Sequence, residues 1–232
     1  MSPTPPNSDL SFMQRALDLA KRVRGHVWPN PPVGCVIVRE GAIVAEAATH
    51  PGGRPHAERK ALEMAGDGAR GATLYVTLEP CCHWGKTPPC ADAIIAAGIS
   101  RVVCATQDPD PRVNGGGFER LRRVGVDVSV GLGADAAEAV MSGFFHRVRT
   151  GTPEMVTSDL NVGMIPEGVD AVLRTSRTGV MLETRTRVIG CTHKSTDKVL
   201  LWMGALGLTT VAVPRDDPFV QELHVSGGMA LA

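Results

Sequence analysis

The sequence predicts an α/β fold, with helices on both faces of a mixed sheet of about five strands. Two observations support this prediction. Residues 35–49 hold two apolar runs around a Glu-Gly pair, which is typical of a β-hairpin. From residue 57 to residue 149, short apolar runs alternate with helical patterns of apolar residues. This alternation is typical of strands whose connecting helices pack back onto the sheet.

The individual elements follow from the spacing of apolar residues and from Pro or Gly at their ends. Residues 28–34, WPNPPVG, hold three prolines and are therefore excluded from regular structure. The remaining elements are predicted in the order helix 11–23, hairpin 35–49, helix 57–66, strand 72–80, helix 90–99, strand 101–109, helix 117–125, strand 126–131 and helix 135–149.

The chain of 232 residues is predicted to hold one main domain and one smaller segment. Residues 1–10 are polar and Pro-rich, so we expect a flexible tail and not a signal peptide. Residues 11–152 form the predicted main domain. Residues 153–232 show a weaker pattern, which fits a small α/β subdomain or the truncated remains of a larger one. Apolar runs in this segment, including Trp202 and Met203, predict that it is buried against something.

The composition narrows the functional class. Lys and Arg total 24, as do Asp and Glu, so the formal net charge is zero and no polyanion-binding surface is indicated. We therefore expect no nucleic-acid partner. No run of about 18 apolar residues is present, so no membrane span is predicted. Six cysteines occur without an export signal, which predicts a cytoplasmic protein with no disulfide framework.

One histidine and two cysteines have the pattern of a metal site. His56 and Glu58 stand at a helix start, where the pair fits either a metal ligand beside a proton-transfer group or an ordinary polar first turn. Cys81 follows the end of a strand, and Cys90 opens a helix whose N-terminus lowers a thiol pKa. One His and two thiolates leave an open fourth position on tetrahedral zinc, as in catalytic sites.

Glu58 adds a candidate proton-transfer group to this pattern. A carboxylate that does not bind the metal can take a proton from an activated water and deliver it to a departing amine. Zinc deaminases combine an H-x-E element with a P-C element and a second cysteine in this way. The combined pattern predicts a catalytic zinc site, with Glu58 as the catalytic residue. A closed structural zinc site, with Cys82 or His83 as the fourth ligand, is the alternative.

Several motifs occur together in this chain. They are NPPVGCVIV, HAE, TLEPC, an insert of eight residues between Cys81 and Cys90, QDPDPRVNGGGFERL and GFFHR. With these motifs, residues 11–152 resemble the deaminase domain of the bifunctional riboflavin-biosynthesis deaminase/reductase family. The resemblance implies a cytidine-deaminase-like three-layer α/β/α sandwich and one catalytic Zn²⁺. It also implies hydrolytic deamination of a small molecule, 2,5-diamino-6-(ribosylamino)-pyrimidinone 5′-phosphate, by a homodimer or homotetramer.

The resemblance assigns roles to individual residues. It places the zinc ligands at His56, Cys81 and Cys90 and the proton shuttle at Glu58. It places substrate contacts at Asn30, His50, His83, Lys86 and Asp108. Simpler roles stay open for some of these side chains, since Asn30 would also cap a turn and Lys86 would also suit a solvated loop.

Two features depart from the family pattern. Asp110 stands where the family usually has Asn, and a carboxylate close to a phosphate would repel it. As a further substrate-binding residue, Asp110 therefore favours an altered substrate, such as a dephosphorylated or differently decorated pyrimidine. Only about 80 residues follow residue 152, which are too few for the family's reductase domain. We therefore expect no NADP site and no reductase activity, and a structural or interface role for residues 153–232.

Three other functions stay open at this point. A deaminase of a riboflavin-precursor-like pyrimidine in a specialised, antibiotic-type pathway would explain Asp110 and the short second segment. A nucleobase or tRNA deaminase is disfavoured by the neutral charge and by the long insert between the two cysteines. A non-catalytic pyrimidine-binding or interaction protein is disfavoured because a pure binder has no need of the Glu58 proton shuttle.

Overall fold

The computed structural model describes residues 6–85, 87–160, 163–193 and 195–225, with side chains from residue 9 to residue 223 of these ranges. None of the helices in this part of the chain has both the length and the apolarity that crossing a bilayer requires.

Packing divides the chain into two compact units. The first comprises the residues up to Val23 together with Pro32–Val140. The second comprises Arg24–Pro31 together with the residues from Met141 onward. The division by packing thus falls at residue 140, whereas the division predicted from the sequence falls at residue 152.

The first unit contains the alternating elements that the sequence predicts. In chain order they are α1 (Pro6–Val23), β1 (Gly34–Arg39), β2 (Ala42–Ala48), α2 (Ala57–Ala65), β3 (Thr73–Leu78), α3 (Cys90–Ala96), β4 (Arg101–Thr106), α4 (Gly116–Arg123), β5 (Asp127–Val130) and α5 (Ala134–Val140). Short 3-10 turns at Pro51–Gly53 and Gly66–Ala69 flank α2.

The sheet of the first unit has five strands in the order β2-β1-β3-β4-β5. β1 runs antiparallel to β2 and β3, while β3, β4 and β5 run parallel. The β1–β2 hairpin turns at Glu40 and Gly41, whose φ angles of 54° and 80° fit a type I′ turn. Glycine adopts such an angle without steric cost. The structure confirms the predicted hairpin and the mixed five-stranded sheet.

Helices cover both faces of this sheet. Successive residues of a strand point to opposite faces. A Cβ on Gly34 would lie 1.9 Å from the carbonyl oxygen of Ala16, so β1 needs glycine where it meets α1. Cys35, on the other face, is within electrostatic reach of Glu58 on α2. α5 packs on the side of α1, and α2, α3 and α4 pack on the other side, which confirms the three-layer sandwich.

The first helix begins earlier than predicted. α1 starts at Pro6, and Pro suits a first helical position because no N–H is needed there. Asp9 accepts hydrogen bonds from the Tyr75 hydroxyl at 2.6 Å and from Arg101 at 2.8 and 3.1 Å. Arg101 lowers the pKa of the Asp9 carboxyl. The predicted flexible tail is therefore wrong for residues 6–10, and its remainder lies outside the described residues.

The second unit has its own five-stranded sheet. In chain order its elements are α6 (Ser142–Thr150), β6 (Glu154–Ser158), β7 (Ala171–Ser176), β8 (Gly179–Thr184), β9 (Val188–Cys191), α7 (Thr196–Ala205), β10 (Thr210–Pro214) and α8 (Pro218–Val225). The strand order is β6-β10-β7-β8-β9, with β10 parallel to β6 and β7, and β8 antiparallel to β7 and β9. This arrangement confirms the small C-terminal α/β unit.

The core of the second unit lies between one face of this sheet and the helices α7 and α8. Its buried members are Met155, Ala171, Leu173, Val180, Leu182, Val199, Met203, Leu208, Val211, Val213, Phe219, Val220 and Leu223. Met203 is fully buried and Trp202 partly buried, which confirms the predicted burial of this apolar run. Trp28 packs against the same core, which explains why residues 24–31 belong to the second unit.

The helix predicted at residues 135–149 is in fact two helices. α5 ends at Val140 and α6 begins at Ser142. Met141 between them has φ −105° and ψ 14°, which are not helical angles. A Cβ on Gly143 would lie 2.2 Å from the Thr210 hydroxyl, so α6 packs closely on the start of β10. Tertiary packing therefore interrupts a pattern that would favour one continuous helix.

Candidate active site

Three potential metal ligands of the first unit lie close together, each at or near the end of a helix or strand. His56 precedes α2, Cys81 follows β3, and Cys90 is the first residue of α3. The His56 Nδ1 lies 3.4 Å from the Cys90 Sγ and 3.8 Å from the Cys81 Sγ. Tetrahedral zinc, with Zn–S of about 2.3 Å and Zn–N of about 2.0 Å, requires N–S separations of roughly 3.6 Å. The three residues therefore fit a zinc ion.

Hydrogen bonds among these ligands shift the pKa of each of them. A hydrogen bond from the Cys90 thiol, aided by the Cys90 N–H at 3.3 Å, lowers the pKa of Cys81 to about 4. Donation of that bond, together with burial, raises the pKa of the Cys90 thiol well above its ordinary value. The hydrogen bond to Cys81 raises the pKa of the His56 imidazole. A divalent cation at this point would favour the thiolate form of both cysteines.

Neither Cys82 nor His83 supplies a fourth metal ligand. The Cys82 Sγ turns away, since it donates to the carbonyl oxygens of Arg112 at 3.6 Å and Val113 at 4.0 Å. Within the described residues, the ligand group consists of His56, Cys81 and Cys90 and does not include His83. Three protein ligands are typical of catalytic zinc, whereas structural zinc has four. The geometry thus favours the catalytic site over the closed alternative.

Glu58 lies in the first turn of α2, two residues after His56. It is only 4 % exposed. Burial raises the pKa of its carboxyl group, although the nearby charge of His56 acts in the opposite direction. A carboxyl group with a raised pKa accepts and returns a proton more readily near neutral pH. These properties support the proton-transfer role that the sequence predicts for Glu58.

Glu79 has a supporting role that was not predicted from the sequence. This residue follows β3 and is 3 % exposed. Its carboxylate accepts four backbone N–H bonds, from Asp108 at 3.2 Å, Gly115 at 2.9 Å, Gly117 at 2.9 Å and Phe118 at 3.4 Å. Glu79 thereby fixes the loop at residues 107–115 beside the chain segment that leads into Cys81. An acidic residue at the end of a buried strand was the available signal, because a buried carboxylate needs several donors.

Asp108 lies after the carboxyl end of β4, at the start of the loop that Glu79 fixes. It is 7 % exposed, and its Oδ1 accepts a hydrogen bond from the Asp110 N–H at 2.9 Å. Burial outweighs this hydrogen bond and raises the pKa of Asp108 to about 7. A buried carboxyl group with few donors is costly for the fold. Such a cost suits a residue kept for substrate, and the predicted ribose-side contact of Asp108 stays a prediction.

We expect Asp108→Asn to raise the free energy of unfolding more at high pH than at low pH. In the unfolded chain this carboxyl ionises near a pKa of about 3.9, whereas in the folded protein it keeps its proton until about pH 7. The contribution of Asp108 to the stability of the wild type is therefore undiminished below about pH 4 and falls, by on the order of a few kcal/mol, until about pH 7. The Asn variant lacks this fall.

Urea unfolding of the zinc-loaded wild type and variant at about pH 5 and about pH 8 measures the effect. The difference between the two proteins should be larger at the higher pH. The pH dependence of zinc binding affects both proteins alike and cancels in this difference. An equal difference at both pH values would show that Asp108 titrates normally.

Asp110 does not present a free carboxylate. The Arg112 Nε donates to its two oxygens at 2.9 and 3.1 Å, and the Arg112 Nη2 donates at 2.5 Å. Arg112 lowers the pKa of the Asp110 carboxyl. Because Arg112 neutralises the charge of Asp110, the side chain of Asp110 gives no ground to expect repulsion of a phosphate. The sequence contained the signal for this pairing, because Arg112 stands two residues after Asp110.

The other predicted substrate contacts occupy different surroundings. His83 is half-buried, and among the described residues its buried Nδ1 has no hydrogen-bond partner. His50 is exposed, and its Nδ1 lies 3.0 Å from a backbone carbonyl. Asn30 belongs to the second unit. Lys86 lies outside the described residues. Substrate binding by these four residues and by Asp110 stays a prediction.

The chain is similar in sequence to known deaminases. Residues 6–106 match the family described as the cytidine and deoxycytidylate deaminase zinc-binding region. The chain is 57 % identical to the riboflavin biosynthesis protein RibD of Escherichia coli over 145 residues, which are 62 % of this chain and 40 % of that protein. It is 48 % identical to the diaminohydroxyphosphoribosylamino-pyrimidine deaminase of Buchnera aphidicola over 145 residues. These residues are 62 % of this chain and 99 % of that protein.

The structure is similar to that of RibD from Acinetobacter baumannii. The TM-score is 0.78 at 28 % identity, and the match covers 96 % of this chain and 84 % of the other. The chain spans only 40 % of the length of the Escherichia coli protein, but 99 % of the Buchnera deaminase. The three zinc-ligand positions fall inside the matched zinc-binding region. The chain therefore belongs to the family of RibD-type diaminohydroxyphosphoribosylamino-pyrimidine deaminases.

Proposed function

We propose that this protein is a zinc-dependent hydrolase that deaminates 2,5-diamino-6-(ribosylamino)-pyrimidinone 5′-phosphate, or a close relative, in riboflavin biosynthesis. The observation that carries the proposal is a buried acid, Glu58, beside three ligand atoms spaced for zinc. The name of the Buchnera relative, of which the chain covers 99 %, supports the class of substrate.

The chemistry follows from the positions of these side chains. Zinc held by His56, Cys81 and Cys90 would supply the Lewis acid that makes a water molecule nucleophilic near neutral pH. Glu58 would accept the two protons that this water gives up in turn. One would go to the ring nitrogen beside the reacting carbon and the other to the exocyclic amine. The ring carbon exchanges its C–N bond for a C–O bond, and ammonia leaves. A pure binding protein would have no use for Glu58 in this position.

The ion pair between Asp110 and Arg112 bears on the choice of substrate. A lone Asp110 would favour a dephosphorylated pyrimidine, but the paired carboxylate leaves no net charge to repel a phosphate. We therefore assign the phosphorylated riboflavin precursor as substrate in preference to a pyrimidine of a specialised pathway. A homodimer or homotetramer stays part of this proposal.

An ammonia-release assay with the diaminopyrimidine 5′-phosphate tests the proposal. We expect zinc-loaded protein to release ammonia, chelation of the zinc to stop the release, and added zinc to restore it. Oxidation of NADPH, followed in the same mixture, should not occur. Zinc-replete, folded protein that releases no ammonia would contradict the proposed function.

A further inference from the structure

The loop after β4 holds an ion pair whose geometry is set locally. The Asp110 carboxylate accepts hydrogen bonds from the Arg112 Nε and Nη2, and it also accepts one from the Arg112 backbone N–H at 3.0 Å. The Asp110 N–H in turn donates to the Asp108 Oδ1. Because side chain and backbone of the same arginine bind one carboxylate, the direction of the guanidinium is fixed within three residues.

This ion pair lies beside the metal-binding segment. The Cys82 Sγ donates to the Arg112 carbonyl oxygen at 3.6 Å, and Cys82 directly follows the ligand Cys81. The loop therefore places the backbone of Arg112 next to the chain segment that leaves the zinc site.

The two partners differ in exposure. The side chain of Asp110 is 14 % exposed and that of Arg112 is 70 % exposed. Asp110 occupies Nε and Nη2, and no acceptor among the described residues lies within hydrogen-bonding distance of the Arg112 Nη1. The free edge of a guanidinium offers parallel N–H donors, which match the oxygens of a carboxylate or a phosphate. Of these two anions, the proposed substrate carries a phosphate.

We propose that Arg112 is a specificity-determining residue that binds the phosphate of the substrate, held in position by Asp110. This inference rests on the proposed function and deepens it. Asp110 and Arg112 then act together. The carboxylate orients the guanidinium, and the guanidinium cancels the repulsion that the carboxylate would exert on the phosphate. An exposed ion pair with only a structural role would contribute little to stability and would not distinguish between substrates.

Steady-state kinetics with two substrates test the proposal, namely the diaminopyrimidine 5′-phosphate and its dephosphorylated ribosyl form. We expect Arg112→Leu to raise KM for the phosphorylated substrate about tenfold, the effect of one lost charge-assisted hydrogen bond. Because this contact is the same in ground and transition states, kcat should change by less than roughly twofold. KM for the dephosphorylated substrate should not change.

The partner residue supplies a second variant. In Arg112→Leu the Asp110 carboxylate is unpaired and repels the phosphate, so the double variant Arg112→Leu with Asp110→Asn should recover part of the lost affinity. Arg123→Leu is the matched control, because Arg123 is 78 % exposed and also pairs with a carboxylate, that of Glu119 on α4. This control should leave both KM values unchanged.

The inference is overturned if Arg112→Leu affects both substrates equally, or if Arg123→Leu has the same effect. If the wild type turns over neither substrate, the proposed function fails, and binding of ribose 5-phosphate decides the inference separately. Calorimetry should then show weaker binding of ribose 5-phosphate to Arg112→Leu than to wild type. Equal affinities would rule out Arg112 as a phosphate ligand.

Discussion

Glu58→Gln is expected to lower kcat for deamination by about 10²- to 10⁴-fold, the range for loss of a general acid–base. Gln has nearly the same shape as Glu but cannot accept a proton from water or pass one to the amine. Glu58 does not belong to the ligand group of His56, Cys81 and Cys90, so the variant should keep its zinc. Ammonia release and metal analysis of the same preparation measure both properties.

Glu63→Gln is the matched control for this substitution. Glu63 lies on the same helix, with its side chain 71 % exposed and within 3.4 Å of Lys60. Its variant should retain full activity, because surface ion pairs of this kind contribute little. A Glu58→Gln variant that binds zinc and still releases ammonia at the wild-type rate would remove the proton shuttle from the mechanism.

Glu79→Ala is expected to lower the free energy of unfolding by about 3–5 kcal/mol. The substitution leaves four backbone N–H groups without their charged acceptor, in a place where Glu79 is 3 % exposed. Hydrogen bonds to charged groups contribute about 1.5–3 kcal/mol each, and water entering the cavity replaces part of this sum. Urea unfolding of the zinc-loaded protein measures the change.

Glu119→Ala provides the comparison for Glu79→Ala. Its side chain is 69 % exposed and pairs with Arg123 on the surface of α4, so we expect a change within about 0.5 kcal/mol. Glu79→Ala should also lower deaminase activity more than Glu119→Ala does, because Glu79 fixes the loop that carries Asp108. If Glu79→Ala unfolds at the same urea concentration as Glu119→Ala, the loop is held by other contacts.

The metal ligands could be predicted from the sequence because each marks the end of a regular element. Cys81 follows a β-rich run closed by Pro80, and Cys90 opens a short helical pattern. His56 and Cys81 follow β2 and β3, which both run antiparallel to β1 between them, so the chain leaves both strands at the same edge of the sheet. The hairpin was predictable for a similar reason, because its Glu-Gly turn is encoded locally.

The residues that the sequence did not reveal depend on partners far along the chain. Glu79 binds backbone groups 29 to 39 positions away. Asp9 binds Tyr75 and Arg101, which are 66 and 92 positions away, so its segment looked like a flexible tail. Arg112 is different, since it binds Asp110 from two residues away and could have been found by asking what neutralises that charge.

The linker at residues 82–89, between the two zinc-binding cysteines, has a consequence for how such enzymes diversify. The linker is anchored at its start, where Arg120 donates to the Cys82 carbonyl oxygen at 3.2 Å. It is anchored again near its end, where Arg54 donates to Thr87 at 2.6 Å and Arg59 donates to the Pro88 carbonyl oxygen at 3.2 Å. Lengthening a loop with fixed ends costs little free energy. Evolution can therefore extend the linker between these anchors while the positions of the metal ligands are inherited unchanged.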